Sequence, residues 1–345
     1  MMAMTTALLS AIVAALVTFV VCSFAMPLGT SLWLLDFPDE SGGRKQHARI
    51  TPLVGGIVIA LVSLAAIAAT LVLPVDLGPT VERHVAWLGV AVAAMFAIGV
   101  ADDRFDLSVR ARLGIAALVL LLVTVAAPDF ALAFVHFADQ PAVWLLGLAS
   151  VPFTLLCLVG LLNAVNMADG KNGIVISLGL VWSAVLLRWL PPAIDPVMAA
   201  LVGALAVMLW FNMHNRLFLG DGGSYALSAL FGLLAIYAYN HRFAGIGADD
   251  VILLFGVPVI DTVRLLIVRS SQRRSPFHGG RDHLHHYLYS RVGWPLGLAV
   301  YIALVAVPNA AALLFPGTAT AWLGVTLAAY LVLLRWAERL GKTAT

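Results

Sequence analysis

A polar stretch over residues 163–173 interrupts two long apolar runs near the middle of the chain, and it contains residue types that can bind or react. It reads Asn-Ala-Val-Asn-Met-Ala-Asp-Gly-Lys-Asn-Gly. Polar groups at the edge of lipid are costly and are kept mainly where they act, and two close glycines let a backbone turn sharply or approach a ligand. A turn with helix-capping Asn and Asp explains the same residues equally well, so other stretches must decide.

Two adjacent carboxylates, Asp102 and Asp103, stand between two other apolar runs. Neighbouring carboxylates repel each other unless a cation offsets their charge. The cation is either a divalent metal ion or a basic side chain nearby, such as Arg104 or Arg110. The pair therefore indicates either a metal-assisted site or a capped helix end at the membrane edge, and the pair alone does not choose between them.

A glycine-rich stretch, Gly-Asp-Gly-Gly-Ser at residues 220–224, opens a later apolar run. Backbone N–H groups of such a loop and of the helix start that follows can bind an anion. A phosphate would repel Asp221 unless Mg²⁺ lies between them, and Mg²⁺ is usually held by one or two carboxylates together with substrate phosphate oxygens. The stretch favours a metal–diphosphate site over a simple capped helix start.

Three histidines, His283, His285 and His286, follow Arg281 in a stretch that begins Ser275-Pro-Phe. They could bind a phosphate or a transition metal. Their spacing is not the i, i+4 pair of a helical zinc site, and no cysteine is near, so anion binding is favoured. On a helix, His283 and His286 would face the same side and His285 would point elsewhere.

A basic stretch at residues 44–49, Arg-Lys-Gln-His-Ala-Arg, precedes Pro52 and the pair Gly55-Gly56. A positively charged loop on the cytoplasmic side of a membrane explains the basic residues. The proline and the two glycines that open the next apolar run favour a functional loop instead.

The composition indicates a membrane protein that crosses the bilayer many times. Of 345 residues, 62% are hydrophobic and 11% are charged, and the mean hydropathy is +0.99, whereas soluble domains carry about 25% charged residues. Cys22 and Cys157 both lie in apolar runs and are expected to be buried apolar residues, not a disulfide or a metal site. No Lys or Arg precedes the first apolar run, which favours a retained span over a cleaved signal peptide.

Eleven runs are long enough to cross a bilayer as helices, which takes about 20 residues. Their predicted bounds are 6–28, 53–73, 84–101, 111–127, 143–162, 174–190, 197–214, 222–240, 250–269, 296–315 and 319–337. The sequence therefore predicts an all-α polytopic fold in a single integral-membrane domain over residues 1–345. Residues 128–142 are predicted to form a short hairpin on the outside.

The distribution of basic residues predicts the orientation. All of the 20 Lys and Arg residues except Arg83, Arg188 and Arg242 fall on one side of this eleven-span topology, and that side should be cytoplasmic. The N-terminus is then outside and the C-terminus inside. All five polar stretches fall on the cytoplasmic side, which predicts one active-site cleft at the cytoplasmic face of a multi-pass membrane protein.

Taken in order, these stretches resemble the polyprenyl-phosphate N-acetylhexosamine-1-phosphate transferase superfamily, which includes glycosyltransferase family 4. The resemblance covers essentially the whole chain. The matching residues are Arg44-Lys-x-His47 with Pro52 and Gly-Gly, then Asp102-Asp103, Asn163 with Asn166 and Asp169-Gly170, Phe218 with Gly220-Asp221 and Ser224, and finally Ser275-Pro-Phe with Arg281-Asp-His-Leu-His-His. The last motif is similar to the branch that starts O-antigen, enterobacterial common antigen, teichoic acid or arabinogalactan synthesis. It is less similar to the peptidoglycan branch, which carries three consecutive histidines.

The resemblance implies a reaction. An undecaprenyl or other polyprenyl phosphate attacks the β-phosphorus of a UDP-activated N-acetylhexosamine, with GlcNAc as the first expectation, and UMP leaves. The implied location is the bacterial inner (plasma) membrane, with the active site facing the cytoplasm. The implied cofactor is Mg²⁺, with Mn²⁺ as an alternative. The implied partners are the UDP-amino sugar, the lipid phosphate, the bilayer and a second copy of the chain in a homodimer, with no nucleic acid.

The resemblance also assigns residues to roles. It places Asp102, Asp103, Asp169 and His283 in catalysis and Asp221 and Asn172 at the metal. The substrate contacts that it implies are His47, Arg49, Asn166, Gly170, Asn172, Asn212, Phe218, Arg281, His285 and His286. Phe218 would stack on the uracil. Direct attack by the lipid phosphate is favoured over a covalent intermediate on Asp102 or Asp103.

Two departures from the family pattern leave alternatives open. Many bacterial relatives have Asp where this chain has Asn172; an amide oxygen can still bind Mg²⁺, and an amide NH₂ can donate to uracil. The chain also lacks the usual Pro-Ala before Phe218, so either Asn212 or Asn215 takes the nucleotide contact.

The competing functions are the same transfer from another UDP-amino sugar, such as a fucosamine, quinovosamine or bacillosamine type, and a non-catalytic lipid-binding or transport protein.

Overall fold

The apolar runs form helices in the computed structural model, which describes residues 2–38, 49–73, 78–242, 244–273, 280 and 282–338. Helices satisfy all their backbone groups internally, which a lipid environment demands. The helices of the described chain are α1 Met2–Ser23, α2 Ala25–Leu32, α3 Gly55–Val72, α4 Gly78–Phe105, α5 Val109–Ala126, α6 Ser150–Ala168, α7 Ile174–Trp189, α8 Asp195–Met213, α9 Gly220–His241, α10 Ala248–Ser271, α11 Leu284–Val292, α12 Leu296–Leu314 and α13 Ala319–Glu338.

The predicted fold class is confirmed. Ten of these helices are long and apolar enough to cross a membrane, and α7 is a shorter apolar helix. Together they correspond one to one with the eleven predicted spans. The remaining two, α2 and α11, are short helices of 8 and 9 residues beside the bundle. The orientation of the termini and the single-domain organisation stay predictions.

Two small antiparallel hairpins lie between the helices. Strand β1, Leu35–Asp36, pairs with β2, Thr51–Pro52, and β3, Phe134–His136, pairs with β4, Val143–Leu145. The hairpin predicted between α5 and α6 is thus present. Its second strand occupies residues that the sequence placed in the fifth span, so the predicted bounds 143–162 are wrong: α6 begins at Ser150 and continues to Ala168.

Helix α9 is the centre of the bundle. It packs against α3, α4, α6 and α7, and its whole span is buried inside the protein. Its mean hydropathy of 1.3 is the lowest among the candidate spans, because protein and not lipid surrounds it. A central helix of this kind can begin with polar residues, since neighbouring helices satisfy them.

Glycines let the backbones meet at the start of α9. A Cβ added at Gly99 of α4 would lie 2.3 Å from the carbonyl oxygen of Asp221, and one added at Gly56 of α3 would lie 2.5 Å from the nitrogen of Gly223. Side chains at either position would push the helices apart. The small residues therefore bring the carboxyl end of α4 and the amino end of α3 against the first turn of α9.

Candidate active site

A cleft of about 460 Å³ opens where α4, α6 and α9 meet α5 and the region around α11. This volume lies within the usual range for small-molecule sites, about 300–1,000 Å³. Four of the five polar stretches contribute to its wall or support it. The polar and glycine residues that line it are Asp102, Asp106, Arg112, Asn163, Asn166, Asp169, Gly170, Asp221, Arg269, Gly280, His283 and His286.

Asp102 lies in the last turn of α4, directly after residue 101, the predicted end of the span. Its carboxylate accepts hydrogen bonds from Arg112 Nη1 at 2.7 Å, from the Tyr225 hydroxyl at 2.8 Å and from the backbone N–H of Leu107 at 3.0 Å. The side chain that offsets its charge is therefore Arg112, and not Arg104 or Arg110. Because Arg112 lies ten residues further along the chain and on the next helix, the residues next to Asp102 do not reveal this partner.

Asp103 points to the other side of α4 and caps α9. Its two carboxylate oxygens accept the backbone N–H groups of Asp221 at 3.0 Å and Gly222 at 3.2 Å. A carboxylate at a helix N-terminus satisfies free donors and interacts favourably with the helix dipole. Gly220 has φ +72° here, and a Cβ on it would lie 2.8 Å from Asp103 Oδ2. Asp103 thus fixes the start of α9 from behind the cleft and does not line it.

Asp221 faces the cleft from the first turn of α9. Asn166 Nδ2 donates to Asp221 Oδ1 at 2.6 Å and to Ser224 Oγ at 3.3 Å. Arg112 Nη1 lies 3.7 Å from Asp221 Oδ2, so Arg112 stands between two carboxylates. Asn166 is in the last turn of α6, which corrects the prediction of a loop over residues 163–173: the helix holds the first part of that stretch.

Asp169 caps the end of α6 and also lines the cleft. Burial raises the pKa of its carboxyl well above the usual range, and the negative charges of Asp221 and Asp103 raise it further. Among the described residues, Asp169 and Asp221 therefore share a partly dry space in which their repulsion is only partly offset. Hard carboxylate oxygens in this arrangement fit a divalent cation such as Mg²⁺.

The three histidines take different positions at the start of α11. His283 and His286 line the cleft, whereas His285 does not, as the helical spacing predicted. His285 is fully buried, and its ring stacks on that of His283 with centroids 5.2 Å apart. Burial, together with His286 and His283, holds the pKa of His285 well below its usual value, so this ring is neutral. A Cβ at Gly170 would lie 2.6 Å from His285 Nε2, which makes glycine necessary there.

A second cavity of about 590 Å³ lies beside the cleft. Its lining residues are Lys171, Asn172, Met213, His214, Asn215, Phe218, Tyr289, Trp294 and Pro295. Asn172 and Phe218 thus face this cavity, and the structure does not bring Asn172 into the same cavity as Asp221. The ammonium of Lys171 lies 3.6 Å from the centroid of the Tyr289 ring.

The two candidate asparagines before Phe218 have different surroundings. Asn212 is 4% exposed; its Oδ1 accepts the Gly173 N–H at 2.6 Å and its Nδ2 donates to the Leu217 carbonyl at 3.0 Å. Asn215 is exposed and lines the second cavity, where its Oδ1 accepts from Asn172. Asn212 therefore braces the loop internally, and Asn215 is the one with a surface toward a ligand.

Two predicted site residues, His47 and Arg281, lie outside the described residues. Arg49 is described and exposed next to β2, where its carbonyl oxygen accepts from the Thr51 hydroxyl at 3.2 Å. The backbone of Phe218 is hydrogen-bonded to the segment that contains β2. The Phe218 N–H donates to the Pro52 carbonyl at 2.9 Å, and the Phe218 carbonyl accepts from the Gly55 N–H at 3.0 Å. Pro52 and Gly55, which follow the basic stretch, therefore position Phe218.

Comparison with known proteins supports the resemblance to the transferase family. The sequence profile described as glycosyl transferase family 4 matches residues 85–239, from α4 to the end of α9, and so includes the carboxylates of the cleft. Over this segment the chain is similar to glycosyl transferase family 4, and the resemblance drawn from the motifs is confirmed.

Individual relatives in the family extend the match. A decaprenyl-phosphate N-acetylglucosaminephosphotransferase of Mycolicibacterium smegmatis is 27% identical over 92% of this chain and 85% of its own length. A probable undecaprenyl-phosphate N-acetylglucosaminyl 1-phosphate transferase of Bacillus subtilis is 27% identical over 72% of this chain and 69% of its own. An undecaprenyl-phosphate alpha-N-acetylglucosaminyl 1-phosphate transferase of Salmonella typhi is 26% identical over 85% and 79%.

Proposed function

We propose that this chain transfers N-acetylglucosamine 1-phosphate from UDP-GlcNAc to a polyprenyl phosphate and releases UMP. Relatives across the family carry names for this transfer. The observation that supports it in this chain is the cleft itself, in which Asp102, Asp169 and Asp221 lie with Arg112 and His283 at one end of a bundle of apolar helices. A membrane-embedded acceptor and a charged donor can both reach such a place.

The transfer exchanges one phosphoanhydride for another. An oxygen of the lipid phosphate attacks the β-phosphorus of the donor and forms a new P–O bond. The P–O bond between the bridging oxygen and the β-phosphorus breaks, and UMP leaves with the electron pair. Because the P–O bond that forms is of the same kind as the P–O bond that breaks, catalysis consists mainly of positioning the reactants and neutralising their charge. Four of the described basic residues line the cleft and suit the phosphate oxygens: Arg112, Arg269, His283 and His286.

Mg²⁺ is the cofactor that the donor set fits, with Mn²⁺ as an alternative. Asp221 would hold the ion, with Asp169 beside it. When bound, the ion would neutralise the diphosphate of the donor and the two carboxylates together. Asp103 would act from behind by holding the first turn of α9, and Asn166 would orient Asp221 through their 2.6 Å hydrogen bond.

The second cavity suits the nucleoside end of the donor. It adjoins the cleft through Gly170 and Lys171 and is lined by the aromatic side chains of Phe218, Tyr289 and Trp294. A planar base stacks well on such rings. The cleft would open to the cytoplasm of a bacterial cell, where UDP-sugars are made, and the product would be the first lipid-linked sugar of a cell-envelope polysaccharide.

The proposal is tested with purified protein in detergent. Radiolabelled UMP should enter UDP-GlcNAc only when polyprenyl phosphate and Mg²⁺ are both present, and omission of the lipid is the matched control. Mass spectrometry of the lipid product, after incubation with a panel of UDP-amino sugars, identifies the preferred donor. No exchange with any donor would exclude the transferase and leave the lipid-binding alternative.

The metal site is tested by Asp221→Asn. The variant should lose at least about 100-fold in Mg²⁺-dependent exchange, because one of two carboxylates that fit the ion is removed, while its thermal unfolding stays close to that of the wild type. Asp139→Asn, an exposed carboxylate in the hairpin loop, is the control and should keep full activity. Full activity of Asp221→Asn would mean that the ion binds elsewhere.

A further inference from the structure

A carboxylate outside every recognised motif lies inside helix α10. Asp261 is 3% exposed within a membrane-spanning helix. Ionisable groups inside membrane helices are costly and are usually paired and functional. The sequence gives no pattern around Asp261 that would explain it, so its contacts must.

Four groups donate hydrogen bonds to this carboxylate. His283 Nδ1 lies 2.7 Å from Asp261 Oδ2, and the backbone N–H of Leu284 lies 3.3 Å from Oδ1 and 3.4 Å from Oδ2. The Tyr330 hydroxyl of α13 donates to Oδ1 at 2.6 Å, and Arg264 Nη2 donates to the same oxygen at 3.1 Å. Arg264 Nε also donates to the Tyr330 oxygen at 2.9 Å. The carboxylate is therefore held from three helices.

This arrangement determines what His283 presents to the cleft. A carboxylate oxygen only accepts, so Nδ1 of His283 must carry a hydrogen whether the ring is neutral or charged. The other ring nitrogen, Nε2, is then the atom left for the cleft that His283 lines. A histidine fixed by a carboxylate in this way has a defined tautomer and ring orientation, as in other acid–base and nucleophile-activating sites.

We propose that Asp261 is a positioning residue: it fixes the ring and the tautomer of His283 so that Nε2 faces the reacting phosphates, with Tyr330 and Arg264 holding Asp261 in turn. The proposal rests on the transfer reaction proposed above. Through Tyr330, helix α13, which contains none of the five polar stretches, is linked to the chemistry of the cleft. Asp261 itself does not line the cleft and acts only through His283.

A metal ion is the other chemistry that this cluster suggests. One ligand atom each from Asp261, His283 and His285 lie within 4.8 Å of one another. Ligands held at about 2.0–2.2 Å from a tetrahedral zinc lie roughly 3.3 Å apart, whereas His283 Nδ1 and Asp261 Oδ2 are at the 2.7 Å of a charge-assisted hydrogen bond. The guanidinium of Arg264 on the same carboxylate adds positive charge where a cation would sit. A hydrogen-bonded pair therefore accounts for the geometry better.

The first test reads the tautomer without any activity. Long-range ¹H–¹⁵N NMR on protein labelled with ¹⁵N-histidine in detergent reports which ring nitrogen carries the hydrogen, and His283→Gln assigns the signal. We expect the Nδ1–H form in the wild type and loss of that preference in Asp261→Ala. An Nε2–H form in the wild type would overturn the proposal, and so would a metal-bound signal that a chelator abolishes.

The second test separates positioning from folding by kinetics. Asp261→Asn should lower kcat about 10- to 100-fold with KM changed less than about threefold, because the substrates are still bound. In a His283→Gln background the same substitution should change kcat less than about twofold, since residues that act as a unit are not additive. Additive losses would overturn the proposal while leaving the transferase function intact.

Two further variants serve as controls. Tyr330→Phe removes one donor to Asp261 and should lower kcat by a smaller factor than Asp261→Asn, about 2- to 10-fold. This variant still tests the proposal if Asp261→Asn does not fold. Asp250→Asn makes the same chemical change in the first turn of the same helix, where Asp250 accepts the Gly247 N–H. We expect it to leave kcat within about twofold.

Discussion

The side-chain amide of Asn172 donates two hydrogen bonds, to the Asn212 carbonyl at 2.7 Å and to Asn215 Oδ1 at 2.8 Å. It thereby ties the loop after α6 to the end of α8. The backbone carbonyl of Asn172 also accepts from Trp294 Nε1 at 3.0 Å. The residue thus holds three segments around the second cavity, which accounts for an amide at this position.

We predict that Asn172→Asp weakens this loop instead of strengthening the metal site. A carboxylate would face two acceptors and lose both bonds, at a cost of about 1–3 kcal/mol. Thermal unfolding should occur at lower temperature and KM for the donor should rise, while the Mg²⁺ concentration for half-maximal exchange stays the same. Asn172→Ala, which loses the bonds without adding charge, should be affected less. A stable variant with a stronger Mg²⁺ requirement would show that residue 172 reaches the metal.

Sequence reasoning found most of the cleft residues but not their partners. Asp102, Asp169 and Asp221 are conspicuous because polar residues are rare in this chain. Arg112, Tyr225 and Asp261 were missed, since only packing shows that Arg112 and Tyr225 meet Asp102 and that Asp261 meets His283. Contacts between residues 22 or 123 positions apart leave no trace in local spacing.

At the scale of helices, hydropathy predicted which segments span the membrane but not where they end. Helices α4 and α6 end at Phe105 and Ala168 and so continue past their predicted ends, 101 and 162, into the polar residues of the cleft. An apolar run ends where lipid contact ends, whereas a helix ends where its backbone hydrogen bonds end. Because neighbouring helices shelter these last turns, Asp102 and Asn166 occupy helical positions that hydropathy assigns to loops.

The approach of α4 to α9 gives a prediction for the element scale. Gly99→Ala would place a Cβ 2.3 Å from the Asp221 carbonyl oxygen, which belongs to the backbone and cannot move alone. The two helices must separate, at a cost of about 1–3 kcal/mol, and the cleft between Asp102 and Asp221 widens. We expect a lower unfolding temperature and lower exchange activity that excess Mg²⁺ does not restore.

Gly114→Ala on α5 is the matched control for this substitution. A Cβ at Gly114 meets nothing within 4 Å, and alanine favours a helix by about 1 kcal/mol over glycine. This variant should be as stable as the wild type or more so, with unchanged activity. If both alanine variants behave alike, the close contact at Gly99 is not what sets the distance between α4 and α9.

At the scale of the whole molecule, polar function and apolar structure are segregated along α9. Its first turn carries Asp221 at the cleft, and its last turn lies near the β3–β4 hairpin, where the Tyr239 hydroxyl accepts the His136 N–H at 2.9 Å. The hairpin and the cleft are therefore at opposite ends of the central helix. If α9 crosses the bilayer, the hairpin is exposed on one side of the membrane and the cleft on the other.

This separation allows the predicted orientation to be tested with two single cysteines. In a background with Cys22→Ser and Cys157→Ser, Asp139→Cys marks the hairpin loop and Ser290→Cys marks α11 beside the cleft; both positions are exposed. The excess of basic residues near the cleft predicts that this end is cytoplasmic. A membrane-impermeant maleimide should therefore label Asp139→Cys in spheroplasts, and label Ser290→Cys only after the membrane is opened. The reverse pattern would place the cleft outside, away from a cytoplasmic supply of UDP-sugar, and the proposed transfer would then fail together with the proposed orientation.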